Sequence, residues 1–122
     1  MSIKLENRRR TAAVIDLSAI EDNCRSVRRH VGKEVKICAV VKADAYGHGA
    51  VPVSRLLEEK HLTDFLGVGM VEEGIELREA GIELPMLILE SVMPDEMESA
   101  IQNNLRLTIY EKEMAVLLST LA

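Results

Sequence analysis

The sequence predicts an α/β fold built on a parallel sheet. Short apolar runs recur along its 122 residues, an amphipathic stretch follows each, and glycine, proline or polar residues mark the joins. Five such run-and-stretch pairs require parallel strands linked by right-handed helical crossovers.

The first strand candidate is Ala12 to Leu17. Ser18 stands three residues before Glu21, a capping-box pattern that opens a helix to about Arg29, with Gly32 as its stop. Val35 to Val41 (VKICAVV) is the clearest strand, too short for a helix and rich in β-branched residues. A polar loop, Lys42 to Gly49, follows. Val51 to Lys60 then reads as a helix that tolerates Pro52 in its first turn. Asp64 to Gly69 is the third strand. Val71 to Ala80 is an amphipathic helix with Ile75 and Leu77 inward, and Gly81 lies just past its end. Pro85 to Leu89 is the fourth strand, and Pro94-Asp95 opens a helix to about Gln102. Leu105 to Ile109 is the fifth strand, followed by a last helix from Glu111. Periodicity leaves two architectures open: a doubly wound sheet, or the front part of an eight-stranded α/β barrel.

Composition narrows the function. Hydrophobic residues make up 48% of the chain, enough for a real core, and aromatics only 2%. Few aromatics and a formal net charge of −5 argue against a nucleic-acid surface. The one basic run, Arg8-Arg9-Arg10, belongs to a polar tail expected over residues 1–11, ahead of a single unit over residues 12–122. Cys24 and Cys38 form neither a disulfide framework nor a metal-ligand cluster, so no metal is expected. No apolar run approaches the roughly 20 residues of a membrane span, and no secretory leader is evident, so a cytoplasmic protein is expected.

The chemistry concentrates in Val40-Val41-Lys42-Ala43-Asp44-Ala45-Tyr46-Gly47-His48-Gly49. Here an apolar strand runs directly into a lysine. Active sites of parallel α/β folds lie at the C-terminal ends of the strands, where Lys42 falls. Partial desolvation there would lower its pKa and favour attack on an aldehyde. Taken singly, each residue has a plainer reading: Lys42 as a solvated charge, Tyr46 as packing, Gly47 and Gly49 as turn residues.

The whole string resembles the pyridoxal phosphate (PLP) attachment motif of alanine racemases. Ile15 to Ile20 resembles that family's opening strand and helix start, Val71 to Ile82 its third helix and exit turn, and Pro85 to Leu89 the next strand. The family often carries Asn where Asp44 stands.

The resemblance runs from about Thr11 to the C-terminus. It implies the first five β/α units of a TIM-type (β/α)8 barrel, incomplete, with the family's C-terminal β domain absent. It implies pyridoxal 5'-phosphate as cofactor and L- and D-alanine as substrates, supplying D-alanine to the cell wall. Lys42 would be the Schiff-base lysine and the base acting on D-alanine, and Tyr46 would hydrogen-bond the cofactor phosphate. The opposite-face tyrosine, contributed by the partner subunit of a homodimer, and the arginine facing the pyridine nitrogen would come later in sequence. The 122-residue chain alone is therefore expected to be inactive. Two alternatives are a racemase of another amino acid, such as serine or lysine, and a non-catalytic PLP-binding fragment. A related decarboxylase also shares the barrel and a PLP lysine, but usually without Ala-Tyr-Gly-His-Gly after it.

Overall fold

A computed structural model describes residues 11–122. The expected tail lies outside the described residues except for exposed Thr11.

Asp16, rather than Ser18, caps the first helix, α1 (Leu17–Val31). Its carboxylate accepts from the Ser18 and Ala19 amides at 2.9 and 3.2 Å, and a charged acceptor suits the positive end of a helix. Glu21, the expected partner of a capping box, instead pairs with Arg25 one turn along at 2.6 Å. Helix α1 ends at Gly32, whose φ of 84° favours glycine.

Four strands follow: β1 (Cys38–Val40), β2 (Phe65–Val68), β3 (Met86–Ile88) and β4 (Arg106–Leu107). Between them lie α2 (Lys42–Tyr46), α3 (Ala50–Glu59), α4 (Val71–Glu79) and α5 (Met97–Gln102). Pro94–Glu96 forms a 3₁₀ turn before α5, and α6 (Lys112–Leu121) closes the chain.

Among the described residues the sheet therefore has four strands, not five. Residues 12–16 form no ladder, and Val14 is 73% exposed. A strand is defined by its paired neighbour, and among the described residues β1 pairs only with β2. Apolar character alone did not secure a partner.

All pairings are parallel and the order is β1-β2-β3-β4. That order never reverses, so right-handed crossovers carry successive helices over the same face of the sheet. A doubly wound sheet needs a reversal to cover both faces. The topology is thus that of a barrel wall.

The helix-covered face holds the core. Leu66, Val68, Met86 and Ile88 are completely buried, joined by Leu57, Leu77, Met97 and Ala100 from the helices. The opposite face carries the alternate positions: Val40, Gly67, Leu87 and Arg106 lie level across the strands. A Cβ built on Gly67 would lie 3.2 Å from the Cys38 sulfur and 3.4 Å from Val40 Cγ2, so these residues share that face.

Two polar clasps fix the frame. Asp64, at the entrance to β2, accepts from the Ile37 amide at 2.6 Å and pairs with Arg28 of α1 at 2.8 Å. Those donors hold its carboxyl below the usual range, the Ile37 amide contributing most. Arg78 of α4 donates to the carbonyls of Ile82, Leu84, Asn103 and Asn104, tying two successive helix exits together.

Candidate functional site

Strand β1 delivers Lys42 to the C-terminal end of the sheet. Val41 is buried and its amide continues the ladder to the Gly67 carbonyl at 2.8 Å. Lys42 comes next, half-buried. Among the described residues it makes no ion pair; the pairs there join Arg25 to Glu21 and Arg28 to Asp64. Its amine is uncommitted.

The stretch expected as a polar loop instead winds into a single left-handed turn. Ala43, Asp44, Ala45 and Tyr46 have φ of 50, 55, 52 and 55°. Left-handed backbone costs an L-residue roughly 1–2 kcal/mol, so four in succession must be held by their surroundings. The Ala45 amide reaches back to the Val41 carbonyl at 2.9 Å, and the Gly49 amide to that of Asp44 at 2.9 Å. Asp44 Oδ1 accepts from the Ala50 amide at 2.7 Å, capping the first turn of α3. Asn and Asp are the side chains that best tolerate this backbone, and both offer that Oδ1 acceptor. Asp44 therefore suits this position both by its backbone and by its acceptor. His48 turns its ring Nδ1 to the Ala45 carbonyl at 2.9 Å, a structural contact. Tyr46, at the far end of the turn, is 61% exposed.

The neighbouring strand ends add groups that sequence reasoning missed. Glu73, in the first turn of α4, accepts from the Ala43 amide at 3.1 Å. Gly69 follows β2, and a Cβ there would lie 3.0 Å from carboxylate oxygens of both Glu73 and Glu90. The Tyr110 hydroxyl donates to the Leu89 carbonyl at 2.5 Å, and Thr108 to that of Ile88 at 2.7 Å. An acidic residue in a helix's first turn is ordinary by sequence. Its contact with Ala43, thirty positions earlier, has no local signature.

A chain with this lysine turn on a barrel-type wall can be compared with known proteins. The sequence model of the alanine racemase N-terminal domain matches residues 15–122. This chain belongs to that family. An alanine racemase of Halothermothrix orenii is 45% identical over 114 residues, covering 93% of this chain and 30% of that protein. The structure of an alanine racemase of Clostridium difficile 630 superposes with a TM-score of 0.85 at 42% identity, covering 88% of this chain and 29% of that one. The Bacillus anthracis alanine racemase with bound L-Ala-P gives a TM-score of 0.79 at 34% identity, over 88% of this chain and 28% of that one. This member of the family thus spans under a third of the length of these relatives. No helix among its described residues is long and apolar enough to cross a membrane.

Proposed function

We propose that this chain is the front part of a (β/α)8 barrel that binds PLP through Lys42 and serves alanine racemisation. The observation that carries the proposal is the uncommitted Lys42, set where β1 meets the left-handed turn at the C-terminal end of a parallel wall. Residues 12–122 form the barrel portion and residues 1–11 its tail. In the closed barrel residues 12–16 pair with the free edge of β1, supplying the fifth strand.

The residues present fit the cofactor. A half-buried, unpaired amine is the nucleophile an aldehyde requires. Tyr46, four residues on and largely exposed, supplies a hydroxyl for the phosphate. When bound, PLP withdraws electrons from the substrate's α-carbon and makes its proton removable.

Once the substrate's own amine has displaced it from the cofactor, the freed Lys42 Nζ would take the α-proton of D-alanine on one face, or return it in the reverse direction. The other face needs a second base. Tyr110 is a poor candidate because its hydroxyl donates to the Leu89 carbonyl. The family resemblance implies that this base comes from a partner subunit of a homodimer, and the names of the relatives suggest alanine as the substrate. The L-Ala-P held by the Bacillus anthracis protein supports an alanine-shaped ligand.

Absorbance spectra of the chain with PLP, with and without D-alanine, test this reading. The expected result is a bound-cofactor band in the parent chain, absent in Lys42→Ala and altered by D-alanine. A band identical in the two chains would overturn the lysine assignment, and one indifferent to D-alanine would overturn the substrate.

A further inference from the structure

We propose that Glu73 is a positioning residue for Lys42, holding the peptide that follows the lysine so that its amine is presented at the strand ends. The inference rests on Lys42 being the PLP lysine. It begins at Ala43, where the chain leaves the strand and turns left-handed, with φ 50° and ψ 51°. The first amides of a helical turn have no partner within it. The Ala43 amide finds one in Glu73 Oε2 at 3.1 Å.

Among the described residues, the other recorded hydrogen bonds of residues 43–46 are local, running to the stretch between Val41 and Ala50. Among the described residues, Glu73 makes the one hydrogen bond that runs from the turn to the next β/α unit, beside the core packing of Ala45. Lys42 is therefore held from both sides: the Val41 amide is tied to β2 and the Ala43 amide to α4. Bare Gly69 leaves room for this, since a Cβ there would sit 3.0 Å from Glu73 Oε1 and from Glu90 Oε1. Glu72 occupies the same first turn of α4 but is exposed and has no recorded contact with Ala43. It shares Glu73's electrostatic effect on the helix without its reach.

The test is PLP attachment at subsaturating cofactor, trapped with borohydride and quantified at Lys42 by peptide mass, with the unfolding midpoint recorded for each variant. Glu73→Ala should weaken apparent affinity at Lys42 about tenfold, the scale of one hydrogen bond to a charged group. Glu73→Gln restores an acceptor and should come back to within about threefold. Glu72→Ala should label like the parent.

Gly69→Ala displaces the flexible Glu73 side-chain end without removing it, and should lose label in the same direction. In the absence of PLP, Glu73→Ala should also speed exchange of the Ala43 amide about tenfold. Parent-like labelling in folded Glu73→Ala and in Gly69→Ala overturns the proposal, as does an equal loss in Glu72→Ala. Should Glu73→Ala fail to fold, Gly69→Ala decides. Absence of label at Lys42 in the parent chain would instead sink the PLP-lysine reading on which this one rests.

Discussion

Replacing Ala43 by glycine should stabilise the chain, against the ordinary rule for a residue in a helical turn. Ala43 is exposed and sits at φ 50°, so its methyl contributes little packing while its backbone is strained. The strain released is roughly 1–2 kcal/mol, the cost of a left-handed L-residue. Glycine's extra chain entropy returns roughly 0.5–1 kcal/mol of that. The net gain is about 0.5–1 kcal/mol, which would raise the unfolding midpoint by about 3 °C in a domain of this size. Ala43→Val keeps the amide that Glu73 holds but puts a β-branched side chain in the same region, and should destabilise by about 1 kcal/mol or more. Urea titrations of the three chains, read at constant m-value, give the comparison. Glycine destabilising by about 1 kcal/mol is what a right-handed turn requires. That sign would refute the left-handed geometry and with it the account of how Lys42 is held.

Other outcomes follow from the frame around the site. Asp64 has its carboxyl lowered chiefly by the Ile37 amide and then by Arg28, so its contribution to stability is present above the ordinary carboxylate range. As pH falls through the lowered folded value that contribution is lost; the stability difference between parent and Asp64→Asn should be constant above about pH 5 and shrink below about pH 4. A pH-independent difference would contradict the clasp. Among the described residues β1 and β4 each leave one edge unpaired, so the 122-residue chain should self-associate with rising concentration in sedimentation. A monomer with cooperative unfolding at high concentration would show that the wall closes its own core. On the proposed reading Lys42 supplies one of two bases, so these 122 residues by themselves should not racemise alanine in a coupled D-alanine assay. Turnover at the level of the full-length relatives would overturn that expectation.

Periodicity made the later units legible. Phe65–Val68 and Met86–Ile88 fall inside the apolar runs that predicted them, because a strand buried among its neighbours reads as an apolar run, while Arg106–Leu107 falls inside its expected run as an edge strand with Arg106 exposed. The helix from Val71 and its exit at Gly81 were equally plain, Gly81 taking φ of 86°. Residues 12–16 read as a strand for the same reason and are not paired as one, since pairing depends on a neighbour and not on composition.

At the site the string around Lys42 was specific, but its shape was not. Little in Ala-Asp-Ala-Tyr announces a left-handed turn, because alanine and tyrosine rarely adopt one, and only Asp44 with the flanking Gly47 and Gly49 hinted at positive φ. Asp44 capping α3 and Glu73 holding Ala43 are contacts made by the fold, one six residues away and one thirty.

Everything proposed for the site depends on Lys42 being the residue that takes PLP. Borohydride reduction of the chain with PLP, followed by peptide mass mapping, tests it most directly. The pyridoxyl label is expected on Lys42, well above any of the surface lysines. Label spread over Lys33, Lys36, Lys60 and Lys112 with Lys42 unmodified would contradict it.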